Sequence, residues 1–239
     1  MTFLFVPGFM ADRTLWTELV GHLGDAPVAF ADMDRGESIE EMATMALARA
    51  PDEYVLVGFS MGGYVARAMA RLAPERARAL ILIATSARAD TPEQSRRKAA
   101  AAAQLESAPA FSGLSRTSIL SSLHKDRAHD EALIGRVRAM GVRLGKSVFL
   151  RQSTIPRDTD MSELFQIQCP TLVVAAREDR LRKLDEALEL KNGIKESKLA
   201  IIEASGHMVP LEAPKALART MLNWLSEQSI GGANRSPTG

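Results

Sequence analysis

Short, uninterrupted apolar runs alternate with helically spaced apolar positions along the first third of the chain. Phe3-Leu4-Phe5-Val6, Tyr54-Val55-Leu56-Val57 and Ala79-Leu80-Ile81-Leu82-Ile83-Ala84 are continuous and mostly branched or aromatic. Runs of this kind fit strands covered on both faces better than strands with one wet face. Residues 64–70, between the second and third runs, read as a helix. Alternation of this sort predicts right-handed βαβ units and a sheet flanked by helices. The pattern changes near Asp90. From there to about Asp160 no strand-like run occurs, and helical stretches follow one another at 91–105, 113–124 and 130–145. Roughly seventy residues are too many for a connecting loop, so they read as a helical cap inserted between two core strands. Alternation resumes at 169–176 and 198–202. The expected organisation is core at 1–88, cap at 89–162, core again at 163–228, and a tail at 229–239 whose Gly, Ser, Asn and Pro content is that of a disordered segment.

The junction of the second run with its helix carries the first chemical signal. Gly58-Phe59-Ser60-Met61-Gly62 places a serine on a sharp strand-to-helix turn. A serine there is held in a strained backbone conformation with its hydroxyl exposed above the sheet and the next amide free to donate. Gly58, Gly62 and Gly63 remove the Cβ atoms that would obstruct the close passage of strand and helix. Ser60 is the candidate nucleophile. Such a serine needs a base and an acid to orient the base, in the chain order serine, acid, histidine. The strand at 169–176 runs into Arg177-Glu178-Asp179, and the strand at 198–202 into Glu203-Ala204-Ser205-Gly206-His207. Asp179 is the candidate acid and His207 the candidate base, with Glu178 and Asp90 as competing carboxylates. The other three histidines, His22, His124 and His129, have no strand-end context. Two amides should face the developing negative charge. Met61, after the serine, supplies one, and Phe9, in the Pro7-Gly8-Phe9 turn after the first strand, is the candidate for the other.

Composition narrows the class further. At 239 residues and 46% hydrophobic content, the chain suits one α/β domain that buries both faces of a sheet. Net charge near +1, with Lys and Arg spread along the sequence, gives no reason to invoke nucleic acid. The densest basic run, Arg96-Arg97-Lys98, reads as a solvated helix face. Cys169 is the single cysteine, read as a core residue that has no internal disulfide partner. No secretory or membrane-spanning segment is evident, which makes a cytoplasmic enzyme the expectation. The sequence has no glycine-rich phosphate loop and no paired-histidine motif, so neither a cofactor nor a metal is expected. Apolar cap positions such as Phe111, Leu114, Ile119, Leu123, Phe149 and Leu150 point to an acyl or alkyl substrate. Of these, Leu114, Ile119, Leu123 and Phe149 are expected to bind it.

Two strings carry a resemblance, Gly58-Phe59-Ser60-Met61-Gly62-Gly63 and Gly206-His207-Met208-Val209-Pro210-Leu211-Glu212-Ala213-Pro214. The chain resembles the α/β-hydrolase superfamily, in its compact, cap-bearing branch that includes the pimeloyl-ACP methyl ester esterases, from Phe3 to about Leu225. The resemblance implies triad roles for Ser60, Asp179 and His207 and oxyanion roles for Phe9 and Met61. Pro7-Gly8 stands where most relatives have His-Gly, and Asp32 to Ser38 resembles a shortened form of the family's acidic, glycine-rich loop. The expected activity is hydrolysis of a small-molecule carboxylic ester through an acyl-enzyme. Carbon–carbon bond hydrolysis, perhydrolysis or acyl transfer could use the same triad, and some relatives keep it as a ligand-sensing module that signals to a protein partner.

Overall fold

The computed structural model describes residues 1–107 and 110–230. Six strands form one wholly parallel sheet in the order β2-β1-β3-β4-β5-β6. They are β1 (Thr2–Val6), β2 (Val28–Phe30), β3 (Tyr54–Phe59), β4 (Ala77–Ile83), β5 (Thr171–Ala176) and β6 (Lys198–Ile202). The core helices are α1 (Thr17–Val20), α2 (Ile39–Leu47) and α3 (Met61–Leu72) before the insertion. The insertion contributes α4 (Pro92–Glu106), α5 (Arg116–Ser122) and α6 (Glu131–Thr154). After it come α7 (Leu184–Gly193), α8 (Val209–Glu212) and α9 (Pro214–Glu227).

Successive strand residues point to opposite faces, and the two cores sort accordingly. Phe3, Phe5, Val55, Val57, Ile81, Leu172 and Val174 join residues of α1, α9 and the cap. Leu4, Val6, Leu56, Leu80, Leu82, Val173 and Ala175 join residues of α2, α3 and α7. β3 is buried along its whole length, which is why it lacks any polar alternation.

α4, α5 and α6 lie between β4 and β5, and no strand occurs among the described residues of this stretch. Each cap helix has a side-chain N-cap: Thr91 with a full capping box, Ser115, and Asp130. α6 is kinked at Gly145, where the first helical stretch was expected to end: with φ 83° and ψ 176° that residue leaves the helical region, and a second helical stretch follows it to Thr154. The two chain crossings into the cap are pinned side by side. Asp90 N–H donates to Arg157 C=O (2.9 Å), and Asp160 N–H to Ala87 C=O (3.2 Å). Buried Arg67 then clamps the exit by bonding the Asp160 carboxylate (2.7 and 2.9 Å) and Ser86 C=O (2.8 Å).

At the C-terminus, Ser229 N–H bonds Ser226 C=O, Ile230 N–H bonds Leu225 C=O, and Ile230 packs on the core. These two residues therefore belong to the folded end of α9 and not to a disordered tail. Residues 231–239 lie outside the described residues.

Candidate active site

Everything chemical gathers at the carboxyl ends of the strands, where parallel α/β sheets place their sites. Ser60 follows β3 with φ 51° and ψ −116°, a conformation a non-glycine residue rarely holds. The neighbours account for it. Ser60 N–H donates to Ile83 C=O (2.9 Å), while Ser60 C=O accepts the Thr85 hydroxyl (2.7 Å) and Gly63 N–H (2.9 Å). A Cβ on Gly62 would stand 2.3 Å from Val6 C=O and 2.4 Å from Pro7 C=O, so only glycine lets α3 start this close to β1.

His207 and Asp179 come to Ser60 from the ends of β6 and β5. His207 Nε2 lies 2.9 Å from Ser60 Oγ, and His207 Nδ1 lies 2.8 Å from Asp179 Oδ2. The second Asp179 oxygen accepts the amides of Leu181 (2.7 Å) and Arg182 (2.9 Å). Burial alone would push the Asp179 carboxyl up, but the electrostatic interaction with His207, its hydrogen bond and those two amides hold it below the ordinary carboxylate range. It therefore faces the imidazole as a carboxylate. Phe59 packs its ring 5.1 Å from the His207 ring. The competing carboxylates are engaged elsewhere: Asp90 pairs with Lys98 and Arg157, and Glu178 accepts the Ser205 amide (3.2 Å).

The histidine loop is clamped to the cap. His207 and Met208 N–H both donate to Ser122 C=O (2.8 and 3.3 Å). Glu212 accepts the amides of His124 (2.7 Å) and Met208 (3.1 Å). Burial raises the Glu212 carboxyl above its usual value despite the amides of His124, Gly206 and Met208. A Cβ on Gly206 would meet His124 N at 2.4 Å and the Leu123 carbonyl carbon at 2.6 Å.

Met61 begins α3, where the first helical amides have no intrahelical acceptor. Phe9 sits on the turn after β1, its ring edge-on to Phe149 at 5.5 Å. The same turn contains Met10, with φ 52°.

Above Ser60 and His207 opens a cavity of about 350 Å³, lined from the core by Phe9, Phe59 and Met208 and from the cap by Leu114, Met140 and Phe149. The structure corrects two of the expected substrate contacts. Ile119 and Leu123 are fully buried in the core cluster and do not line this cavity. They fasten the cap to the sheet instead. Sequence reading also missed Val137 and Met140 on α6, a row of hydroxyls (Ser118, Ser121, Ser122, Ser153), and Arg97 and Lys98. The two cations are not simply a solvated face, although Arg97 pairs with Glu93 and Lys98 with Asp90. The i, i+3 and i, i+7 spacing of Val137, Met140 and Leu144 on one helix was the available signal for the α6 face. Cys169 is half-buried and free, its thiol pushed up to about 11 by burial. Among the described residues no helix is long and apolar enough to cross a membrane.

Comparison with known proteins gives a consistent family. Residues 34–214 match the model of the alpha/beta hydrolase fold. A pimeloyl-[acyl-carrier protein] methyl ester esterase of Vibrio parahaemolyticus is 36% identical over 75 residues, 31% of this chain and 29% of that protein. Matches to the curated relatives thus span less than a third of their length. An esterase structure from Thermogutta terrifontis superposes with a TM-score of 0.78 at 26% identity, covering 95% of this chain and 90% of that one. An enol-lactonase structure from Burkholderia xenovorans gives 0.82 at 18% identity over 94% and 91%, a likeness of fold. The family match covers most of the chain and the neighbours share its architecture over more than nine-tenths of its length: the chain belongs to the α/β-hydrolase fold family.

Proposed function

We propose that this chain is a serine carboxylic-ester hydrolase that works through Ser60, His207 and Asp179. The observation that carries the reading is the continuous relay from Ser60 Oγ to His207 Nε2 (2.9 Å) and from His207 Nδ1 to the buried Asp179 carboxylate (2.8 Å), at the floor of a largely apolar cavity. Neutral His207 takes the Ser60 proton as Oγ attacks the ester carbonyl carbon. The oxygen that becomes anionic lies against the amides of Met61 and Phe9. Asp179 holds the Nδ1–H tautomer and stabilises the imidazolium. His207 then gives its proton to the leaving alkoxide. Water, deprotonated by the same imidazole, attacks the acyl-enzyme, releases the acid and restores Ser60.

The cavity volume supports a substrate of modest size. At about 350 Å³ it is at the small end of the range for ligand sites, which fits a short or medium apolar acyl group. The names of the esterase relatives agree with ester chemistry. The test combines labelling and turnover. A serine-directed phosphonate should modify wild type at Ser60, and Ser60→Ala should lose roughly 10³-fold or more of p-nitrophenyl ester turnover with its fold intact. Modification at another residue, or an active Ser60→Ala protein, refutes the assignment. Steady turnover on a chain-length panel separates an enzyme from a ligand sensor, which would stall after one acylation.

A further inference from the structure

The long cap helix reaches into the oxyanion turn at three places. Phe149 packs on the Phe9 ring at 5.5 Å. Gln152 Oε1 accepts Met10 N–H at 2.8 Å, and Gln152 Nε2 donates to Met33 C=O at 2.7 Å. Arg143 grips the Asp12 carboxylate at 2.7 and 3.2 Å and the Thr14 hydroxyl at 2.7 Å. Gln152 is 0% exposed, and its two bonds use both ends of the amide between two backbone segments. A fully buried polar side chain is costly unless satisfied, and satisfied it fixes one geometry. Here it fixes Met10, which holds φ 52° without being glycine and whose peptide neighbour is Phe9. Met10 N–H and Phe9 N–H belong to adjacent peptide planes, so the torsions of Phe9 couple the aim of one to the other.

We propose that Gln152 is a positioning residue for the oxyanion hole: by holding the Met10 amide from the cap, it aims the Phe9 amide at the carbonyl oxygen above Ser60. The inference rests on the serine-hydrolase reading and deepens it, because it makes the cap part of the catalytic geometry and not only a roof. It also explains how a turn with Pro7 in place of the family's usual histidine is held in shape.

The test uses Gln152→Met, which keeps length and volume and removes both hydrogen bonds. Removing one oxyanion donor outright costs about 10²–10³ in kcat, and misaiming one should cost about 10- to 100-fold. The loss should fall on kcat with little change in KM and be uniform across acyl chain lengths. Inhibition by phenylboronic acid, whose adduct with Ser60 places a boron-bound oxygen in the same hole, should weaken by a similar factor. Arg136→Gln breaks the α6 to Glu18 ion pair on the same helix without touching either Gln152 hydrogen bond, and should leave kcat unchanged. Gln152→Glu is the rescue: its neutral acid can accept from Met10 and donate to Met33, whereas its carboxylate would oppose Met33 C=O. Its rate relative to wild type should stand near one or climb towards one as pH falls. Wild-type kcat in Gln152→Met, a loss that follows chain length through KM, or a deep Gln152→Glu deficit flat across pH would overturn the inference. If wild type itself takes no phosphonate at Ser60, the hydrolase reading fails first and this one with it.

Discussion

Gly206 has no φ that demands glycine, so replacing it with alanine tests space alone. The new methyl would sit 2.4 Å from His124 N, 2.6 Å from the Leu123 carbonyl carbon and 3.0 Å from Ser122 C=O, all backbone atoms of the cap's second helix end. Ordinary contact to a methyl carbon begins near 3.4 Å, so one side must retreat by about 1 Å. Backbone retreats less readily than a side-chain tip, and this backbone is tied down: Ser122 C=O accepts the His207 amide and His124 N–H donates to Glu212. The movement therefore passes to His207. A displacement of about 1 Å in a catalytic group costs on the order of 10²-fold in rate, and overpacking of a tight contact costs about 1–3 kcal/mol in stability. At roughly 2–4 °C per kcal/mol for a domain of this size, melting should fall by about 2–12 °C. The assay is kcat on a short p-nitrophenyl ester beside thermal unfolding of Gly206→Ala. Wild-type kcat together with a wild-type Tm would show that the cap yields freely at this seam, and the account of the clamped histidine loop would be wrong.

Further outcomes follow from the same contacts. Asp179→Asn should cripple turnover while Asp90→Asn and Glu178→Gln stay active, because only Asp179 reaches His207 Nδ1; a dead Asp90→Asn enzyme with intact fold would reverse the assignment. Polar substitution at Leu114 or Phe149 should change the kcat/KM ratio of long to short acyl esters by an amount equivalent to about 1–3 kcal/mol, whereas Ile119→Ala or Leu123→Ala should cost about 2–5 kcal/mol of stability and leave that ratio alone. Equal effects from both pairs on a chain-length series would contradict the cavity lining. Because burial raises the Glu212 pKa above 4.5, the folded protein holds a proton that the unfolded chain releases. Stability from this group is full below 4.5 and is lost as pH rises through the folded value. Glu212→Gln should remove that decline, at a fixed cost of about 1 kcal/mol for the amide left facing another N–H donor; parallel urea-unfolding curves for the two proteins across this pH range would sink the idea.

The parts of the molecule that could be read from the sequence are those whose signal is local. The strand-turn-helix at Ser60 declares itself through its flanking glycines, and the loss of alternation after Asp90 marks the insertion. Asp179 and His207 are legible as candidates because each follows a strand, and the carboxyl ends of a parallel sheet's strands converge, which is how both come to lie beside Ser60. What failed to show was pairing across distance. Ile119 and Leu123 share the apolar character of Leu114, and periodicity tells which side of a helix is apolar without telling whether a sheet or a cavity covers it. The break at Gly145 is legible, whereas the second helical stretch after it, to Thr154, is not, because its polar and apolar positions show no clear helical face. Gln152 gave no signal at all, since a polar residue within a helix reads as solvated until the segment covering it is known.

The paired crossings at Asp90–Arg157 and Ala87–Asp160 have a consequence for how such a chain can vary over evolutionary time. The lengthy excursion over the sheet leaves and returns through one hydrogen-bonded gate, so the sheet meets the same boundary whatever lies beyond it. Insertions, deletions or exchange of the whole excursion need not disturb β4 or β5, and specificity can be rewritten without refolding the sheet and helices beneath. The contacts of Gln152 and Arg143 with the turn after β1 limit that freedom. A transplanted excursion that closed the gate but lacked a partner for Met10 N–H would deliver a well-folded hybrid with a slow active site.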